Sequence, residues 1–346
     1  MMNTIIEHLQ EGGELNTRQI EAAAQFLLSE EAEDSKKATF LEALAEKGET
    51  AQEIAGFVES FLEFAVPVDV TDLDLPGPTI DVCGTGGDRL NLFNVSTTAM
   101  FVLAGGGAVV LKHGNRGATS KSGGADVLEA LGINIEQGPS DFRETVQRAG
   151  VGFMFARAYH PAFKAIAGVR AELAKKGVKT IFNLVGPLLN PARPQCQLVG
   201  VAQQGRAPVF AEILQQLGRE AAWAVHGMTV DGRDVDEVSL MGPTRIWKSG
   251  SYLDLVDEEI CPEDFGFENC PVEALVGGDA DENAQILHRI LNNEEQGPRR
   301  DMVLLNAGAG FACAGLSDDL AGGIELAREV LTDGLALERL QLMQGK

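Results

Sequence analysis

Two runs of glycine and small hydroxyl residues, each ahead of a helical segment, concentrate the chemistry of this chain. The first, DVCGTGGDRLNLFNVSTTAM, covers residues 81 to 100. Gly84, Gly86 and Gly87 reach backbone angles that other residues resist. Asp88, Asn94, Ser96, Thr97 and Thr98 follow, with Ser96 or Thr97 as the expected N-cap of the apolar segment TTAMFVLA. A strand, a glycine turn and a helix N-terminus together bind phosphate, because free N–H groups point outward and the helix dipole favours negative charge. Neither standard nucleotide motif fits. No lysine precedes the helix as in G-x-x-x-x-G-K-[ST], and G-T-G-G is not G-x-G-x-x-G. Taken alone, the run is equally well a tight turn that serves only the fold.

The second run, VVLKHGNRGATSKSGGADVLEAL, covers residues 109 to 131. Lys112, Arg116 and Lys121 place three cations within ten residues, among Thr119, Ser120, Ser122, Gly123 and Gly124. Singly, each is an ordinary solvated charge. As a cluster in a chain of net charge -23 they point to an anion site. His113 has the chemistry of a metal ligand or general base, but no second histidine lies at metal spacing, and a positioning role is expected. Asp236 and Glu237 come after the strand-like AAWAVHG (221 to 227). Adjacent carboxylates on a loop suit magnesium, which takes oxygen ligands and keeps several waters. The competing reading is an acidic surface loop, since VDGRDVDE (230 to 237) is acidic throughout. In YHPAFK, His160 stands where Pro161 opens a helix. Arg170, on its own, reads as an exposed helix arginine.

GTGGD, NVST, KHGNR and SKSG, in that order, resemble the anthranilate phosphoribosyltransferases, of the glycosyltransferase class that also holds the pyrimidine nucleoside phosphorylases. The resemblance continues through YHPAFKAIAGVRAEL, TIFNLVGPLLNPA, DEVSLMGPT and a closing helix LLNAGAGFACAG, and so covers the whole length. It implies attack of an aromatic amine on C1 of 5-phosphoribosyl 1-pyrophosphate, with magnesium masking part of the pyrophosphate charge. It also implies roles. Gly84, Gly86, Gly87 and Asp88 would lie against the ribose-pyrophosphate, Asn94, Ser96 and Thr97 would bind phosphate oxygens, and Lys112 with Thr119 or Ser120 would add phosphate contacts. Anthranilate would meet Gly84, His113, Asn115, His160 and Arg170, the last pairing its guanidinium with the carboxylate. Ser96, Asp236 and Glu237 would hold magnesium. The chain departs from the family at Arg89, Leu90 and Leu92, where glycine, alanine and threonine are typical. It departs again at Gly124, where serine is common, and in a longer loop between His226 and Asp236.

These groups need a scaffold. The first 65 or so residues read as helices: TRQIEAAAQFLLS, then a segment started by Ser35 and stopped by Gly48, then one opened by Thr50 and Glu53 at capping-box spacing. VPVDVTDLDLPGP (66 to 78) is a linker, after which strand and helix patterns alternate. The expected fold is α/β. The resemblance implies a small helical domain over 1–70, with a returning segment at about 160–190, and a large α/β domain over 76–346 with a mostly parallel sheet. It places the active site in the cleft between them and leaves apolar helix surface for a homodimer contact. GDADENAQILHRILNNEE (278 to 295) reads as a helix with a solvated face.

A net charge of -23 argues against nucleic-acid binding through a general basic surface. Five scattered cysteines without C-x-x-C read as thiols in a reducing compartment. There is no basic-then-apolar leader and no membrane-length apolar run, so a cytoplasmic location is expected. Three other functions compete with the transferase: a pyrimidine nucleoside phosphorylase, a non-catalytic nucleic-acid-binding relative, and a transferase for another aromatic amine.

Overall fold

Short β-branched runs pack as parallel strands between apolar helices, and the result is a sheet whose strand ends carry both glycine turns. The computed structural model describes residues 1–117, 121–250 and 253–346. The chain divides into two units, Met1–Pro67 with Arg157–Pro191, and Val68–Ala156 with Ala192–Lys346.

The first unit is helical: Met2–Gln10, Thr17–Leu28, Asp34–Lys47, Ala51–Leu62 and, from the returning segment, Lys164–Lys175. The capping box expected at Thr50 and Glu53 is present, and Asn16 with Gln19 forms another. Ser35 does not start the third helix. That helix begins one residue earlier, after Glu33, without a side-chain cap. Glu53 does more than cap: its carboxylate, 1 % exposed, also accepts from Leu15 N (2.9 Å) and Lys47 Nζ (2.7 Å). A buried charge paired this way avoids the desolvation cost of a lone one. The returning segment is stitched in by Val66 N–H on Tyr159 O (2.8 Å) and Lys37 Nζ on Ala165 O (2.8 Å). Phe61 stacks on Phe182 at 5.3 Å and meets Phe163 edge-on at 5.4 Å.

The second unit holds β1 (Thr79–Gly84), β2 (Val109–Gly114), β3 (Val151–Phe155), β4 (Cys196–Gly200), β5 (Ala221–Met228), β6 (Asp234–Val235), β7 (Thr244–Gly250) and β8 (Leu253–Ile260). They form one eight-stranded sheet among the described residues, in the order β3-β2-β1-β4-β5-β7-β8 with β6 on β5. β1 to β5 pair in parallel, and β6, β7 and β8 are antiparallel additions. The mostly parallel sheet that the resemblance implies is therefore present. β1 and β4 are neighbours from which the chain goes on to opposite sides, to β2 and to β5, and ligands bind at such a switch point beyond the carboxyl ends of strands. Helix Val95–Gly105 is buried over nearly its whole surface and packs against Pro298–Cys313 and Leu335–Met343. The LLNAGAGFACAG helix is not the last: Leu320–Thr332 and Leu335–Met343 follow it. Among the described residues no helix is long and apolar enough to cross a membrane.

Candidate active site

β1 delivers its last residue, Gly84, beside Gly200 at the end of β4. The backbone then turns through Gly86 (φ 70°) and Gly87 (φ 97°), angles at which a side chain is strained. Thr85 N–H donates to Gly200 O at 2.8 Å, and Ala202 N–H donates to Thr85 Oγ1 at 3.1 Å, which anchors the turn to β4. Gly86 N–H donates to Asp236 Oδ2 at 2.6 Å, joining segments 150 positions apart. The acidic pair is therefore part of the glycine turn's surroundings rather than a remote surface loop.

The fit is tight enough to exclude side chains. A Cβ on Gly84 would strike the Asp236 carboxylate, one on Gly200 the Asp236 backbone carbonyl, and one on Gly227 the Glu237 carbonyl. Gly200→Ala is expected to push the acidic segment off its seat. The cost is about 1–3 kcal/mol of stability, typical of overpacking, with lost activity beyond it. Thermal unfolding together with a turnover assay checks this, and wild-type values in both would show that the segment yields freely.

Electrostatically the acidic group is under tension. Burial and then the neighbouring Asp88 carboxylate push the Asp236 carboxyl up to about 7. Asp88 is itself raised by burial, and Glu237 is raised well above the usual carboxylate range by burial and by Asp236. Asp88 and Asp236 share a side-chain hydrogen bond, and Ser96 N–H donates to Glu237. Three carboxylates gather here, with the Ser96 hydroxyl 3.2 Å from Lys112 Nζ, and oxygen donors of this kind suit magnesium. Among the described residues no three His, Cys, Asp or Glu side chains are arranged to hold a metal by themselves. An ion that completes its shell with phosphate oxygens and water needs no such cage.

The helix above the turn starts at Val95, and its N-cap is Asn94 rather than Ser96 or Thr97. Asn94 makes no capping bond because its side chain is used elsewhere. Its Nδ2 donates to Ser122 O at 3.3 Å, and its Oδ1 accepts from Asn283 Nδ2 at 2.8 Å. It thus ties the first glycine run to the second. Ser96 and Thr97 occupy the first turn of the helix, Thr97 being buried. The residues before them are strapped down as well. Phe93 N–H donates to Leu275 O at 3.0 Å, Gly277 N–H to Asn91 O at 2.9 Å, and Leu92 forms an antiparallel bridge with Val276. Arg89 (φ 61°) and Asn91 (φ 54°) take left-handed backbone to make this path, and Arg89 is exposed.

The second run does not present its cations as one cluster. Lys112 is 4 % exposed, with Nζ on Val82 O and 3.2 Å from Ser96 Oγ, so its charge lies beneath the helix start. Arg116 is taken by the following helix: it pairs with both oxygens of Glu129 and reaches Asp126 at 3.4 Å. Asp126 also accepts from Gly117 N (2.9 Å) and Gly123 N (2.8 Å), and this closes the loop onto the helix Gly124–Ala130. Lys121 is exposed. Of the three expected cations, only Lys112 sits with the glycine turn. Thr119 and Ser120 lie outside the described residues. His113 is buried, its N–H donating to Asp81 at 3.3 Å, while Asn115 is exposed. A Cβ on Gly124 would come 2.8 Å from Thr97 Oγ1, so the missing side chain leaves that hydroxyl uncrowded.

Two further residues belong to the helical unit and are described there. His160 precedes the turn Pro161–Phe163, with Nε2 donating to Leu189 O at 2.8 Å, and burial lowers its pKa. Arg170 on Lys164–Lys175 is half-buried, its guanidinium 5.1 Å from the centre of the Phe182 ring. Burial lowers its pKa, and no carboxylate among the described residues pairs with it. It is the kind of unneutralised cation that an anionic ligand would complete.

Comparison with known proteins accounts for the whole length. Residues 3–65 match a model described as "Glycosyl transferase family, helical bundle domain", and residues 76–337 match "Glycosyl transferase family, a/b domain". An anthranilate phosphoribosyltransferase of Rubrobacter xylanophilus is 43 % identical over 99 % of this chain and 96 % of its own. The crystal structure of the Thermus thermophilus anthranilate phosphoribosyltransferase superposes with a TM-score of 0.89, at 40 % identity, covering 98 % of both chains. The Saccharomyces cerevisiae enzyme, solved in complex with PRPP and Mg, gives 0.88 at 27 % identity over 99 % of this chain and 97 % of that one. With both domains matched in order and relatives above 40 % identity end to end, the chain belongs to the anthranilate phosphoribosyltransferases of the glycosyl transferase family.

Proposed function

We propose that the protein transfers the 5-phosphoribosyl group from 5-phosphoribosyl 1-pyrophosphate to anthranilate, giving N-(5-phosphoribosyl)anthranilate and pyrophosphate. The C1–O bond to pyrophosphate breaks, the amine nitrogen bonds to C1, and a proton leaves that nitrogen. The observation that carries this reading is the hydrogen bond from Gly86 N–H to Asp236, which brings the phosphate-type turn and the acidic pair to one place.

The transition state is positive at C1 and negative at the leaving group, so positioning and fixed electrostatics supply the rate, and no protein nucleophile is required. The backbone at Gly84, Gly86 and Gly87, with Asp88, cradles the ribose-pyrophosphate. Asn94, Ser96 and Thr97 hold phosphate oxygens at the helix start. Lys112, buried against Ser96, supplies positive charge from below. Thr119 or Ser120, outside the described residues, would add a phosphate contact. Asp236, Glu237 and Ser96 would hold magnesium, with Asp88 beside them, and a bound ion would supply charge to mask part of the pyrophosphate. Gly84, His113 and Asn115 edge the amine, and Arg170 pairs with its carboxylate. His160, already engaged with Leu189, shapes the amine's path through its position.

We further propose a homodimer working in the cytoplasm. All five cysteines are free thiols, as a reducing compartment requires. The charge of -23 speaks against a nucleic-acid partner.

Loss of anthranilate fluorescence tests the reaction. The expected result is loss that needs both the phosphoribosyl donor and magnesium. No loss, together with phosphorolysis of thymidine or uridine, would replace this reading with a nucleoside phosphorylase.

A further inference from the structure

Asn306 is the one polar side chain in LLNAGAGF, and it lies on the helix Pro298–Cys313 with 2 % of its surface exposed. A buried carboxamide needs partners at both ends. Its Oδ1 accepts from Val238 N at 2.9 Å. Its Nδ2 donates to Val238 O and to Met302 O, each at 2.9 Å. The side chain thus pairs with both backbone polar groups of a single residue, as a neighbouring strand would.

That residue directly follows Asp236 and Glu237. The other side of the same segment rests on Gly200 and Gly227, where any Cβ would strike Asp236 or Glu237 backbone. A cavity of about 10 Å3, lined by Cys83, Ser96, Glu237 and Asn306 among others, adjoins it. Asp88 meets Asp236 in a side-chain hydrogen bond and Glu237 is crowded by Asp236, so where the carboxylates stand depends on how their backbone is held. The segment is held between two bare glycine surfaces and one amide.

We propose that Asn306 is a positioning residue: by holding Val238 through both backbone groups, it sets where the Asp236 and Glu237 carboxylates stand against the glycine turn. This rests on reading that pair as the magnesium and pyrophosphate site. Asn306 touches no reacting atom and acts through the segment alone.

The test compares Asn306→Asp and Asn306→Ser with the wild type. Asp keeps the size but sets an anionic oxygen against the carbonyls of Val238 and Met302. Ser keeps a hydroxyl and removes bulk, and it carries the comparison if the first variant does not fold. Donor binding is measured by calorimetry without anthranilate, over a magnesium titration, alongside thermal unfolding and the KM of each substrate. The magnesium concentration for half-maximal donor binding is expected to rise about tenfold or more, the usual penalty for losing a residue that orients a ligand carboxylate. The KM for anthranilate is expected to stay within about twofold, since one pairwise contact on the donor side leaves the amine side intact. Wild-type magnesium dependence in the variants, whatever their melting temperature, overturns the role of Asn306. A wild type that binds the donor without regard to magnesium overturns the underlying reading of the acidic pair instead.

Discussion

Asp236→Asn combined with Glu237→Gln is expected to remove nearly all turnover and at the same time to raise the melting temperature of the ligand-free protein. Loss of turnover follows from losing the oxygen donors beside the glycine turn, and at limiting magnesium it should reach about a hundredfold or more. The gain in stability follows from proton linkage. Asp236 is raised from 3.8 to about 7 in the fold, and Glu237 moves the same way. A group raised on folding holds a proton that the unfolded chain releases. Its stabilising contribution is complete below pH 3.8 and is lost as pH rises through about 7. Above that, the folded protein carries crowded carboxylates that the double variant lacks. The gain should therefore be larger at about pH 8 than at about pH 5, and each kcal/mol recovered corresponds to about 2–4 °C for a domain of this size. Calorimetric scans of both proteins at the two pH values decide it. Equal melting temperatures at the higher pH would mean that the carboxylates are not strained, and unchanged turnover would mean that they hold no ion the reaction needs.

Arg170→Ala is expected to raise the KM for anthranilate about tenfold to a hundredfold, the loss of one charge-assisted pair worth about 1.5–3 kcal/mol. The KM for the phosphoribosyl donor should hardly move. The guanidinium is half-buried on Phe182 with no carboxylate partner among the described residues, so it has little to lose except its ligand. Arg170→Lys keeps the charge but not the planar fork, and should fall between the wild type and the alanine variant. Steady-state kinetics with each substrate varied in turn provide the check. An equal rise in both constants would place Arg170 in the general stability of the helical unit rather than at the amine.

Much of the scaffold is legible in the chain because its signals are local. Three glycines after a β-branched run, Thr50 with Glu53 three positions later, and the alternation of strands and helices each follow from neighbours in sequence. The side-chain partners of the second glycine run are not legible in this way. Lys112, Arg116 and Lys121 look like one cluster, yet Arg116 is neutralised by Glu129 on the next helix and Lys112 is buried under Ser96. Charge counted along a line cannot show which face of a turn each side chain leaves by. Asn94 likewise reads as a phosphate ligand ahead of a serine or threonine cap. It stands at the N-cap position without a capping bond, because Asn283 and Ser122 claim its amide from far along the chain. Asn306 had one local sign, a lone amide in a run of small and apolar residues. In a buried helix such a residue is there for its hydrogen bonds.

The strap that holds residues 91 to 94 has a consequence for when the site can exist during synthesis. Its partners are Leu275, Val276, Gly277 and Asn283, and one partner of the acidic segment lies later still, at Asn306. A ribosome has released the glycine turn, the helix start and the basic run long before it makes any of these. Gly200 and Ala202 can anchor Thr85 once β4 is made, but residues 91 to 94 lack their partners at 275 to 283 until the last third of the chain emerges. A chain cut short before Leu275 therefore lacks the contacts that fix the path into the helix start.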